Sequence, residues 1–234
     1  MKADTLFAVM EATWPAASVA QVGPWLIRDG KGGGKRVSAA TAQPGWRLQD
    51  LALAEAAMRA LGQEPLFLLR DEPDLDAALQ AQGYRVVDPV VAYAATVAAM
   101  AQVPERMTTF PHWPPMAIAE QLWAEGGIGA ARLAVMQRVL GPKTAILGRA
   151  GDRAAGAAFV AVQGDVAMLH GLEVTPALRR QGSAHNILRA AAVWAQNQGA
   201  ETLTLVVTEA NDAARRLYAS LGMGVVGQYH YRQK

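Results

Sequence analysis

The sequence predicts a mixed α/β protein, layers of helix packed on a mixed sheet, and three observations carry that reading. Apolar residues alternate with a period of two in some segments and recur at helical spacing in others, so both strands and helices are expected. The C-terminal half orders them as helix pair, three strands, helix, strand, helix, strand, which places a single βαβ unit after an antiparallel meander. Hydrophobic residues make up 52% of the 234 positions and charged residues 18%, enough to bury a real core and too apolar for a disordered chain.

Taken in order, residues 25–27 and 36–40 read as two strands joined by the glycine-rich turn from Gly30 to Gly34. Residues 46–61 carry Leu48, Leu51, Leu53, Ala54, Met58 and Leu61 at near-helical spacing and stop at Gly62, a residue suited to the left-handed cap. A strand at 65–69, a helix at 74–82 stopped by Gly83, and a strand at 84–94 containing Pro89 follow. The polar, proline-rich stretch 102–115 is read as a boundary, dividing the chain into a module at 1–104 and a domain at 105–234.

In that second domain, residues 116–140 are helical around the Gly126-Gly127 and Gly129 break. Residues 144–149, 155–162 and 166–174 are strands linked by Gly-Asp turns. A helix at 181–198 has Ile187, Leu188, Ala191, Trp194 and Ala195 on one stripe, and a strand at 202–208 alternates Leu203, Leu205 and Val207 against threonines. A helix at 211–221 closes at Gly222, and 225–232 is the last strand.

Composition excludes several classes of function. A net charge of +2, from 22 basic and 20 acidic residues, is too small to imply a nucleic-acid partner. There is no cysteine, which removes disulfides, thiolate metal sites and cysteine nucleophiles. The four histidines are scattered without ligand spacing, so no metal is expected. The N-terminus has no signal-peptide pattern and no window reaches the length of a membrane span, so a cytoplasmic protein without a membrane partner is expected. A homodimer is compatible with the sequence. The run from Gly30 to Lys35 is not a phosphate loop, because Asp29 and Arg36 stand where that motif needs glycine and a hydroxyl residue.

The informative stretch is Leu172, Glu173, Val174, then Thr175-Pro176-Ala177-Leu178, then Arg179, Arg180, Gln181, Gly182, Ser183, Ala184 and His185: a strand, a proline-marked loop and a helix start made of small residues. The first turn of a helix leaves main-chain N–H groups unpaired, small side chains let phosphate oxygens reach them, and Arg179 and Arg180 add positive charge. The Arg-x-x-Gly-x-Ala pattern after a strand resembles the coenzyme signature of the GNAT N-acetyltransferases, with Ala184 where glycine is commoner. Residues 211–223, with Asn211, Arg215 and Tyr218 at i, i+4 and i+7, resemble that family's second cofactor-binding helix. The resemblance covers roughly residues 116–234.

The resemblance implies a GNAT acyl-CoA N-acyltransferase fold that binds acetyl-CoA as acetyl donor and transfers the acetyl group to a primary amine, of a small molecule or a peptide. With no cysteine to hold an acyl group, attack is direct, in a ternary complex. A coenzyme-binding or scaffolding module without turnover is the alternative. The coenzyme site implied comprises Leu172, Glu173, Val174, residues 179–185, Asn211, Arg215 and Tyr218, with Tyr218 as proton donor to the departing thiolate. His170 and Glu173 compete for the role of base; strict alternation along the strand puts them on opposite faces unless a bulge re-aims Glu173. The plainer alternatives are a core histidine, a salt-bridged strand residue and, for Tyr218, a packing aromatic. The resemblance also puts an acceptor loop near residues 123–132, and Tyr229, His230, Tyr231 and Arg232 offer a pair that could line an acceptor pocket. Residues 82–87 resemble a degenerate copy of 221–226, which makes the first module a truncated GNAT-like one.

Overall fold

The computed structural model describes all residues, Met1–Lys234. In chain order the elements are α1 (Ala3–Thr13), the hairpin β1 (Ser18–Val22) and β2 (Trp25–Asp29), β3 (Thr41–Ala42), α2 (Leu51–Ala60), β4 (Leu66–Leu69), α3 (Pro73–Ala81), β5 (Arg85–Thr96), the single turn α4 (Val97–Met100) and β6 (Thr109–His112). There follow α5 (Ala117–Glu125), α6 (Ala130–Arg138), β7 (Lys143–Ala150), β8 (Arg153–Gln163), β9 (Val166–Val174), α7 (Ser183–Asn197), β10 (Thr202–Thr208), α8 (Asp212–Ser220) and β11 (Gly224–Gln233). The mixed α/β architecture expected from the sequence is the one observed. Three details differ. The tight hairpin of β2 is with β1 and turns at Gly23, while across Gly30 to Gly34 its antiparallel partner is Thr41–Ala42 and not residues 36–40; α1 occupies a stretch for which the sequence predicts no element; and β6 lies in the stretch read as a linker, pairing antiparallel with β7.

The chain forms two compact units. One holds Met1–Pro15, Ala92–Val207 and Asn211–Gly227; the other holds Ala16–Val91, Thr208–Ala210 and Gln228–Lys234. These are not the contiguous stretches that a cut after residue 104 would make, because β5 and β11 each contribute residues to both.

In the first unit the strand order is β5-β10-β9-β8-β7-β6. The meander β7-β8-β9 is antiparallel, whereas β10 runs parallel to β9, a pairing that requires the α7 crossover. Helix α7 lies against the face on which Gly148 sits: a Cβ there would come within 2.6 Å of the Ile187 side chain. The opposite face, carrying Phe159, is covered by α1 and α5; Phe159 meets Trp14 at the end of α1 edge-on, ring centroids 6.2 Å apart.

The second unit builds its core from Trp25, Met58, Phe67, Leu75, Leu79 and Tyr84, which the amphipathic helices α2 and α3 press against β2 and β4. Trp25 and Tyr84 pack edge-on against Phe67, and the Trp25 indole donates to the Asp50 carbonyl at 2.9 Å. Strand β11 is pinned to α3 by charge. Arg232 donates to both carboxylate oxygens of Asp76, at 2.8 and 2.7 Å, and to the Tyr84 carbonyl at 3.0 Å, and His230 contacts the same carboxylate at 2.6 Å. Tyr229 and Tyr231 are buried against one another, centroids 5.6 Å apart. The 229–232 run therefore forms core and an ion-pair network of this unit: Tyr229, Tyr231 and Arg232 are buried, and the partly exposed His230 is held on Asp76, which corrects the expectation of an acceptor pocket there.

The hydrogen bonds from Arg232 hold the Asp76 carboxyl down to about 2, below its usual value. A depressed carboxyl stabilises the fold above its unfolded value, about 4, and that contribution fades as pH falls through the folded value. Asp76→Asn should cost about 2–3 kcal/mol at neutral pH, since it leaves the buried Arg232 without its counter-ion. In urea titrations the difference from the parent should be constant above about pH 5 and close as pH falls towards 2; a gap independent of pH would place the effect elsewhere.

Candidate functional site

The site is set by where two parallel strands part. Pairing between β9 and β10 runs from Val166 opposite Thr202 to Leu169 opposite Leu205 and stops, while both strands continue. Beyond that point lies a cleft of about 640 Å³, the size of a ligand pocket, walled by the end of β9, the start of α7 and one side of α8.

At its α7 end the chain turns through Arg180 at φ 63° and Gly182 at φ 82°. Gly182 is the N-cap and supplies no side-chain acceptor, and its carbonyl accepts from the Asn186 N–H at 3.0 Å. The amides of the first turn are thus uncapped where Gly182, Ser183, Ala184 and His185 line the cleft, with the positive end of the helix dipole behind them. Ser183 is itself buried, its hydroxyl turned towards the Arg149 carbonyl. Burial, then the charge of Arg189, holds the His185 imidazole below its usual range.

Among the expected coenzyme residues, Leu172, Glu173, Val174, Arg179, Arg180 and Asn211 also line the cleft, as does Tyr218; Gln181 and Arg215 do not. Arg215 turns away to the Tyr93 hydroxyl, 3.4 Å, and Asp212, 3.7 Å. Its neighbour Arg216 takes the cleft side instead, with Ala213, Ala214, Leu217 and Ser220. The Asn211 side chain caps α8 by accepting from Ala214 N–H at 3.1 Å. Tyr218 is 5% exposed, packs against Tyr93, and its phenol is pushed up to about 12 by burial, so it keeps its proton at neutral pH.

The two candidate bases are separated by environment. Opposite β8, Phe159 pairs with His170 and Ala157 with Glu173, so β9 takes three steps where β8 takes two. The extra residue is a bulge at Gly171, φ 56°. Because Phe159 and Ala157 share a face, His170 and Glu173 share one too, which corrects the expectation from alternation. His170 is 4% exposed, outside the cleft lining, packed against a tilted Trp14 ring with centroids 4.9 Å apart, with Nε2 2.9 Å from Thr13 Oγ1. Thr13 spends its only proton on the Val9 carbonyl, so His170 Nε2 must be the donor in that contact. Glu173 lines the cleft, accepts from Arg179 at 3.2 Å, and lies over Gly126 so closely that a Cβ there would collide with it. Arg179 also donates to the Val174 carbonyl at 3.0 Å, which ties the loop back to the strand.

Comparison with known proteins agrees with this geometry. The fold is that of GCN5-related N-acetyltransferases: one from Kribbella flavida superposes with a TM-score of 0.72 at 19% identity, over 99% of this chain and 95% of that one. A tandem GNAT protein from the clavulanic acid biosynthesis pathway, solved without AcCoA, superposes with a TM-score of 0.62 at 16% identity, over 84% and 74%. An uncharacterized N-acetyltransferase of Bacillus subtilis (strain 168), YobR, is 26% identical over 95% of both chains. Residues 113–223 match the acetyltransferase (GNAT) family model, and the chain carries a GNAT acetyltransferase domain there. No helix is long and apolar enough to cross a membrane.

If His170 is a core residue, removing its acceptor should be felt in stability. Thr13→Val keeps the shape and leaves the Nε2 proton without this partner, at a cost of about 1–3 kcal/mol. The urea midpoint reads it; a variant as stable as the parent would show that the contact contributes nothing.

Proposed function

We propose that this domain is an N-acetyltransferase that carries the acetyl group of acetyl-CoA to a primary amine by direct attack, donor and acceptor being bound together. The observation that carries the proposal is the cleft where β9 and β10 part, with uncapped amides at one end and the Tyr218 phenol on its wall. A diphosphate suits the amides of residues 182–185, and Arg180 and Arg216 add positive charge on the same cleft. The apolar side chains of Leu172, Leu178 and Leu217 suit the less polar parts of the donor.

An alkylammonium ion must lose a proton before it can attack, and Glu173 is the acceptor we assign, directly or through one water. The amine nitrogen then forms its bond to the acyl carbon as the carbon–sulfur bond breaks. Tyr218 gives its proton to the departing thiolate, which leaves a neutral thiol; the nitrogen's second proton, shed as the amide forms, returns through solvent to the Tyr218 oxygen, and Glu173 releases the proton it took to water. Residues 1–104 keep the reading of a truncated GNAT-like module without the Arg-x-x-Gly-x-Ala loop as a proposal, with Met1–Pro15 and the stretch from Ala92 packed in the same compact unit as the acetyltransferase domain.

Thiol release from acetyl-CoA, measured with spermidine, tyramine, L-lysine and a peptide with a free N-terminus, tests the reading. Release with at least one amine is expected; coenzyme binding without release from any would favour a binding module. Tyr218→Phe should lower kcat about 100-fold or more with KM for acetyl-CoA little changed, and a full rate would remove the proton donor. Gly182→Ala meets no atom within 4 Å and so acts only through its φ of 82°. About 1 kcal/mol of strain should weaken acetyl-CoA binding roughly fivefold, read as a smaller rise in melting temperature on adding the coenzyme; an undiminished rise would mean that the left-handed turn does not shape the site.

A further inference from the structure

The bulge on β9 creates a problem that a distant residue solves. Gly171 at φ 56° takes its carbonyl out of the ladder with β8, in a region closed off by Ile128 and Met136. A partly buried carbonyl turned into this apolar corner without a donor is costly. The donor is the indole N–H of Trp123 on α5, 2.7 Å away, from a side chain that is fully buried. Three residues on in the same segment, Gly126 presents bare main chain to the Glu173 side chain. The corner between α5 and α6 therefore touches the bulge twice, once at the carbonyl that defines it and once at the carboxylate-bearing side chain that the bulge re-aims.

We infer that Trp123 and Gly126 are positioning residues for Glu173: the indole N–H fixes the bulge at Gly171, and the missing side chain at residue 126 leaves the space in which Glu173 lies. This rests on the assignment of Glu173 as base. Neither residue lines the cleft, so their influence runs through Glu173 and not through the coenzyme. Phenylalanine at 123 keeps an aromatic ring and removes only the donor, which lets β9 relax towards ordinary alternation and swings Glu173 off its station. Alanine at 126 displaces the same side chain from the other side.

The test is kinetic and pairwise. With acetyl-CoA and whichever amine of the panel above releases thiol fastest, Trp123→Phe and Gly126→Ala should each lower kcat roughly 10- to 100-fold with little change in KM for acetyl-CoA, as expected of a misplaced reacting group. In a Glu173→Gln background Trp123→Phe should lower the residual rate little further, because both changes act on one group. Equal factors in the two backgrounds, or an unchanged kcat in Trp123→Phe beside a depressed one in Glu173→Gln, would overturn the role of Trp123 alone. A full rate in Glu173→Gln would overturn the base assignment and this inference with it. Hydrogen exchange needs no acceptor amine: the amides of residues 170–174 should exchange faster in Trp123→Phe while α7 and α8 stay protected, and unchanged exchange there would overturn the inference whether or not any amine is acetylated.

Discussion

Between Phe159 and Ala157 on β8, strand β9 advances from His170 to Glu173, and the surplus residue is absorbed because Gly171 adopts a φ of 56° that a side chain would resist. Much of the domain follows from that misfit. With strict alternation Glu173 would face α7 and would be remote from the α5 to α6 corner. Opposite the bulge, Gly156 is pressed so closely by the Glu173 carbonyl that no Cβ fits, so a second glycine is committed to the same distortion. Beside it the β9 to β10 pairing has ended at Leu169 and Leu205, so the distorted segment also borders the cleft. A strand that is irregular and half unpaired needs its polar groups satisfied from elsewhere, and Trp123 answers that need at Gly171.

The cleft's charges divide their work by geometry more than by kind. Arg179 is committed to the Glu173 carboxylate and the Val174 carbonyl, and Arg215 to Tyr93 and Asp212, while Arg180 and Arg216 line the cleft. Positive character at the α7 end thus comes chiefly from the helix terminus and these two guanidiniums. Arg179 joins the phosphate-type loop to the strand that carries the proposed base, which makes the two halves of the site one mechanical piece.

The sequence made the regular parts legible. Gly199 and Gly222 follow the ends of α7 and α8, and the Gly126-Gly127 break separates α5 from α6, because left-handed caps need glycine whatever the surroundings. The turn from Arg179 to Ala184 into α7 was legible for the same reason: its shape depends on local main-chain geometry. What escaped depended on partners far along the chain. Thr13 and His170 are 157 positions apart, and Trp123 and Gly171 are 48 apart. Helix α1 has no side-chain cap and only a weak apolar stripe, so nothing local announced it. Arg215 and Arg216 are adjacent and chemically identical, and about 100° of helical rotation decides which meets the cleft. The bulge did leave a trace, a glycine inside a strand pattern, but a lone glycine does not say how far the following side chains rotate.

His170 and Glu173, finally, show why sharing a face does not confer a shared role. Both point to the side of the sheet that α1 and α5 cover, and both have a polar partner within 3.2 Å. For His170 that partner is a buried hydroxyl whose own proton is already used on Val9, so the contact is fixed in direction and shut away from water by Trp14 and Phe159. For Glu173 it is the end of a long side chain that is 57% exposed, beside a carboxylate that is 23% exposed. An exposed ion pair of this kind contributes little to stability and exchanges readily with water. A group that must pick up and release a proton in each cycle needs that second environment, where its partner can yield, and the fold supplies it three residues beyond a histidine that it has locked into the core.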